Sequence, residues 1–259
     1  MSRMKIGLKD KRALVLGASK GLGFGIAKGL AEEGAKVAIA SRTLEAASAA
    51  AAKIGAKGFA CDTGKLEQVE ALHAAVVKDL GGIDILVLNS GGPPPGGAQG
   101  VSSAQWRSSF EGMFVGLVRL ADLALPGMIE RQWGRIISVI SSGVIEPIPN
   151  LAISNAIRPA LVGWGKSLAN EVARHGITVN AVAPGRIATD RLTQLDKANA
   201  EKQGKSVAEM EAAAKSRIPA GRYGAVEEYA NAAVFLASEA AAYMTGSILR
   251  VDGGQIASH

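Results

Sequence analysis

Residues 12–30 read RALVLGASKGLGFGIAKGL: an apolar run, a turn with glycines at Gly17, Gly21 and Gly23, and then a helix-forming stretch. Arg12–Leu16 is apolar on both alternating faces, as expected of a parallel strand covered by helices on each side. Glycines let the backbone turn tightly and approach a ligand closely. The helix start behind them offers free N–H groups and the positive end of its dipole. Gly17, Ser19, Lys20, Gly21, Leu22 and Gly23 are therefore read as a phosphate cradle, spaced GxxxGxG.

Outward from this turn the same alternation repeats. Strand-length apolar runs fall at 12–17, 36–41, 57–62, 83–89, 134–140, 176–184 and 247–253, and helical patterns at 21–33, 43–54, 65–80, 103–129, 152–174 and 226–238. Strands alternating with helices predict βαβ units, and right-handed crossovers make a doubly wound parallel sheet in three α/β/α layers the economical topology. Gly34, Gly55, Gly81 and Gly176 fall where helix C-caps belong. No linker separates two cores, so residues 1–259 are expected to form a single domain. The polar, Ala-rich stretch 193–220 fits either a surface helical pair or a mobile lid over a pocket.

Composition narrows the function. Five Phe, three Trp and three Tyr against 32 Gly leave the core to Ala, Val, Ile and Leu. One cysteine, Cys61, and three histidines supply neither a disulfide nor an ordinary metal site. No uninterrupted apolar run reaches 18 residues, and the opening MSRMKIGLKDKR has no signal-like apolar stretch, so a cytoplasmic protein is expected. The net charge of +6 is dispersed. It argues for attraction of small anions, not for nucleic acid or a membrane.

At the end of the second strand run an acidic residue would hold the ribose hydroxyls of NAD, whereas a basic one tolerates the 2′-phosphate of NADP. Ser41-Arg42 stands there, and Lys20 projects from the glycine turn. Two cations and no carboxylate favour NADP(H) over NAD(H).

With these residues in place, the chain from about 8 to 254 resembles the short-chain dehydrogenase/reductases. The further landmarks are Cys61-Asp62-Thr63, Asn89-Ser90-Gly91-Gly92, Ser141-Ser142, Pro184-Gly185 and Val251-Asp252-Gly253-Gly254. The resemblance implies a Rossmann-type sheet of seven strands, a homotetramer or dimer, and a pyridine nucleotide across the strand ends. By the same resemblance Asp62 and Thr63 serve the adenine side, and Asn89 and Gly91 the adenosine ribose. Pro184, Gly185, Ile187 and Thr189 serve the nicotinamide end.

The catalytic positions depart from the family pattern. The Tyr-x-x-x-Lys segment aligns with Ser154-Asn155-Ala156-Ile157-Arg158, and the family's helix Asn aligns with Met113, while Ser142 is retained. A serine hydroxyl is a far weaker acid than a phenol, and arginine is permanently charged, a poor proton shuttle. Ser154 and Arg158 still lie four apart, on one helical face. The expectation is an NADP(H)-dependent oxidoreductase on the carbonyl or alcohol of a small molecule. In it Ser142 hydrogen-bonds the substrate oxygen, Ser154 assists or positions a water, and Arg158 holds the ribose or an acidic substrate group. Water or Glu146 is the alternative proton source. The rival readings are a nucleotide-binding regulatory protein without turnover and a non-redox lyase. Halohydrin dehalogenases, which resemble the family and carry Arg in the Lys position, keep the Tyr and lose the glycine turn. This chain does the reverse.

Overall fold

The computed structural model describes residues 6–258. Seven parallel strands form one sheet in the order β3-β2-β1-β4-β5-β6-β7: β1 Arg12–Leu16, β2 Lys36–Ser41, β3 Lys57–Ala60, β4 Ile85–Leu88, β5 Gly134–Val139, β6 Ile177–Pro184 and β7 Ile248–Val251. Leu14 lies opposite Ala38 on one side and Leu86 on the other. Successive β1 residues feed opposite layers. Leu14 and Leu16 join a core with Leu72, Leu117, Leu120 and Leu161, whereas Ala13 and Val15 join Ile26, Leu30, Ile39 and Ala233. Burial on both faces is why these strands read as continuous apolar runs.

The first layer is built by α3 (Leu66–Leu80), α5 (Gly116–Glu130) and α6 (Ala152–Val172), the second by α1 (Gly21–Glu32), α2 (Leu44–Ala52) and α9 (Val226–Ala237). Between them in sequence come α4 (Ser103–Phe110), α7 (Asp190–Gln203) and α8 (Val207–Lys215). The stretch 193–220 is thus a helical pair. Gly204 ends α7 in the left-handed conformation, and Ser206 and Glu209 cap α8 reciprocally.

The helix expected over 103–129 is not uniform. Glu111–Val115, between α4 and α5, is one widened π-turn. Such turns are uncommon and often lie at functional sites. Thr63 Oγ1 donates to Gly112 O at 2.7 Å, taking up a carbonyl in this turn. Ser103–Glu130 as a whole is long and apolar enough to span a membrane. Its apolar positions Leu117, Leu120, Ala121, Ala124 and Met128 are spent on the sheet.

Candidate active site

The chain leaves β1 for β2 and β3 on one side and returns through β4 on the other, opening a crevice beyond the strand C-termini. Gly17 and Asn89 stand at its two lips. The Asn89 side-chain amide donates to Leu16 O at 3.1 Å and to Gly17 O at 3.0 Å. A Cβ on Gly17, at φ +56°, would sit 2.7 Å from Asn89 O, and one on Gly23 would sit 2.6 Å from Gly17 O. The turn is therefore tight enough to exclude side chains. Lys20, the N-cap residue of α1, is fully extended and gives no side-chain cap, and no acidic residue lies in the first helical turn. The opening N–H groups of α1 face the crevice side without a capping acceptor. This cradle fits a phosphate.

On the β2 side, the Ser41 hydroxyl donates to Thr43 O at 2.9 Å and shapes the turn, while Thr43 caps α2. Arg42 is exposed and, among the described residues, has no carboxylate partner; Lys20 is likewise exposed and unpaired. Asp62 folds over its own loop, its Oδ1 accepting from Gly64 N at 3.0 Å. The Thr63 hydroxyl is spent on Gly112, holding the π-turn, which leaves its backbone for a ligand. Burial pushes the neighbouring Cys61 thiol up to about 11, so it is no nucleophile.

At the end of β5, Ser142 begins a short 3-10 turn that packs against the start of α6. Asn155 fixes that loop, accepting from Ile148 N at 3.2 Å and donating to Ile148 O at 2.9 Å. Ser142, Ser154 and Arg158 are 5%, 6% and 8% exposed. Neither serine hydroxyl is engaged by another side chain or carbonyl among the described residues, and Arg158 makes one bond, Nη1 to Val139 O at 2.5 Å. Three buried polar groups thus keep donor capacity in reserve. Burial pulls the Arg158 guanidinium down to about 10, so it stays charged at neutral pH. Met113, in the π-turn, packs with Ile153 and Ile157, an apolar wall on the same helix. Glu146 is exposed and has no side-chain partner among the described residues.

No tyrosine lies on the turn after β5 or on α6. Tyr229 is fully buried and donates to Val182 O at 3.0 Å. Tyr243 is wholly exposed. Tyr223 donates to Asp196 Oδ2 at 2.8 Å, and burial together with that carboxylate pushes its phenol up to about 12.

The β6 end closes the crevice. Gly185 abuts β7 so tightly that a Cβ would meet Asp252 Cα at 2.6 Å. Ile187, expected at the nicotinamide, turns its side chain into the core toward Gly224 and leaves its backbone for a ligand. Thr189 caps α7, its hydroxyl accepting from Leu192 N at 3.4 Å. Sequence reasoning missed Arg191. From the first turn of α7 it reaches across to the loop after β4, donating to Pro93 O at 3.2 Å and Gly92 O at 3.5 Å. It also missed the Ser90 hydroxyl, buried in that loop without a partner among the described residues. Among the described residues no cluster of His, Cys, Asp and Glu could hold a metal.

A crevice at the strand-order reversal, with a glycine turn on one lip and buried hydroxyls on the other, is the arrangement of a doubly wound, Rossmann-like α/β fold. A family model described as Enoyl-(Acyl carrier protein) reductase matches residues 17–255. The 3-oxoacyl-[acyl-carrier-protein] reductase FabG of Vibrio cholerae is 38% identical over 251 residues, covering 95% of this chain and 98% of that one. Carbonyl reductase family member 4 of Xenopus laevis is 36% identical, with 95% and 98% covered. Among solved structures, L-sorbose reductase of Gluconobacter frateurii, complexed with NADPH and L-sorbose, superposes with a TM-score of 0.91 at 33% identity, covering 99% of this chain and all of that one. The chain belongs to the short-chain dehydrogenase/reductase family.

Proposed function

We propose that the protein is an NADPH-dependent reductase that interconverts a carbonyl and an alcohol on a small organic molecule, using serine and arginine where its family uses tyrosine and lysine. One observation carries this reading: the uncapped, acid-free start of α1 behind a glycine turn that no side chain can enter. Solved relatives named as reductases in complex with NADPH support it.

The turn Gly17–Gly23 would hold the pyrophosphate on its N–H groups. Lys20 and Arg42, exposed and unpaired, would meet the 2′-phosphate. NADPH, when bound, supplies the hydride that goes to the carbonyl carbon. As that carbon is reduced its oxygen gains negative charge, and the free hydroxyls of Ser142 and Ser154 donate hydrogen bonds to it. The proton that completes the alcohol comes from water through Ser154, which hands on its own proton as it takes one from solvent. Arg158 adds a fixed positive charge beside them. Met113 and its isoleucine neighbours keep the pocket wall apolar.

The helical pair over 193–220 acts as a lid, with Arg191 joining it to the loop after β4. The chain works as a homotetramer or dimer in the cytoplasm, on a small-molecule substrate, without nucleic acid or membrane. The test is loss of NADPH absorbance over a panel of ketones and aldehydes. Carbonyl-dependent oxidation supports the reductase. Tight NADPH binding with no oxidation by any member would favour the regulatory protein instead.

A further inference from the structure

We propose that the substrate is a keto acid, its carboxylate held by the Nε–Nη2 edge of Arg158. This rests on the reductase reading for where the substrate lies, and deepens it by naming the substrate's class.

Arg158 is buried, yet its single hydrogen bond goes to a neutral acceptor, Val139 O. No carboxylate lies within ion-pair distance of it among the described residues, whereas Arg12, Arg119, Arg131, Arg186 and Arg222 each have one. Arg135, the other buried guanidinium, is accommodated differently: it donates to two carbonyls and lies 4.3 Å from the centre of the Trp133 ring. Arg158 has no aromatic face against it among the described residues. A buried cation without a counter-charge is costly, and a bound anion removes that cost.

The geometry of the free edge selects the anion. With Nη1 engaged, Nε and Nη2 remain, and neither is sealed off by protein. These two N–H groups are parallel and match both oxygens of a carboxylate. Sugar hydroxyls are neutral and would leave the charge unbalanced. Ser154, one helical turn before Arg158, and Ser142, on the 3-10 turn that packs against α6, carry the unspent hydroxyls for the reacting oxygen. Carbonyl and carboxylate therefore sit a few bonds apart. Among the described residues Arg191 also has no carboxylate, being bonded to the carbonyls of Gly92 and Pro93, so the mouth of the site is positive as well.

The test is calorimetric titration of the NADP+-loaded protein, which cannot reduce its ligand, with straight-chain α-keto and γ-keto acids and with their methyl esters. The expected result is acids bound about 30-fold or more tightly than their esters, the scale of losing one partner of a buried charge pair. Arg158→Met should abolish that preference, and Arg158→Lys, a point charge without the fork, should keep part of it. Should Arg158→Met fail to fold, the Arg158→Lys comparison stands alone. Acids bound no more tightly than esters by the wild-type protein overturn the proposal. So does Arg158→Met that keeps the preference but loses NADP+ affinity, which would assign the anion to the nucleotide. If NADP+ does not load, the same titrations on the free protein decide the acid preference, and only the reductase reading falls.

Discussion

Asn89, at the end of β4, holds the end of β1 in place: its side-chain amide gives both protons to that strand, one to Leu16 O and one to Gly17 O. The two lips of the crevice are thereby tied by a single side chain. Because Gly17 and Gly23 pack against this residue at distances no Cβ tolerates, the amide and the glycines form one unit.

Asn89→Ala should lower stability in urea by about 1–3 kcal/mol, the cost of leaving acceptors unmet. Asn89→Asp should be worse than Asn89→Ala, since it sets a carboxylate against two carbonyls. NADPH affinity should fall in parallel in both. An Asn89→Ala protein with wild-type stability and affinity would show that the tie is not needed.

Arg42→Glu should weaken NADPH by more than about tenfold and leave NADH nearly unchanged, because a charge-assisted hydrogen bond of about 1.5–3 kcal/mol is lost only with the 2′-phosphate. Fluorescence titrations with both nucleotides check this.

Asp84 sits at the opposite end of the sheet, away from the crevice. Its carboxylate accepts from Arg12 Nε at 2.7 Å, Arg12 Nη2 at 2.6 Å, Arg12 N at 3.0 Å and Arg131 Nε at 2.9 Å. Burial alone would raise its pKa, but the bonds and charges of Arg12 and Arg131 outweigh that and hold it below the usual carboxylate range. The unfolded chain therefore takes up this proton first as the pH falls. The stabilisation is fully present above the ordinary Asp value, about 3.9, and is lost below it, down through the folded value. Urea midpoints measured against pH should decline in that acid window. Asp84→Asn should shrink the decline while costing about 3–5 kcal/mol at neutral pH.

Ser142→Ala should reduce kcat about 100-fold or more, as loss of a donor to a developing oxyanion does, and Glu146→Ala should change it little. Steady-state rates with one active ketone compare the two. The reverse order would move proton donation to Glu146.

Much of this was legible in the sequence because it depends on local pattern. Strands buried on both faces announce themselves as apolar runs, and the strand–glycine turn–helix sequence around Gly17 fixes where the crevice opens. The polar, Ala-rich stretch 193–220 read as a helical pair or a lid, and it is built as α7 and α8. What stayed hidden depends on contacts distant in sequence. Nothing near Glu111–Val115 signals a π-turn, which is held by Thr63, 49 residues away from Gly112. Arg191 meets Gly92 and Pro93 only once β6 and β4 lie in one sheet. Ile187 falls at the expected landmark but faces inward, because β6 delivers it to the core beside Gly224. That Ser154 and Arg158 stand four apart on one helix was visible; that Arg158 is buried without a counter-charge among the described residues was not.

The most direct measurement is calorimetric titration of the wild-type protein with NADPH and with NADH. Saturable, one-site NADPH binding, at least about tenfold tighter than NADH and abolished by Gly23→Ala in a folded protein, is the predicted result. No NADPH binding, or NADH bound the more tightly, would contradict the assignment of the glycine turn to a phosphorylated dinucleotide.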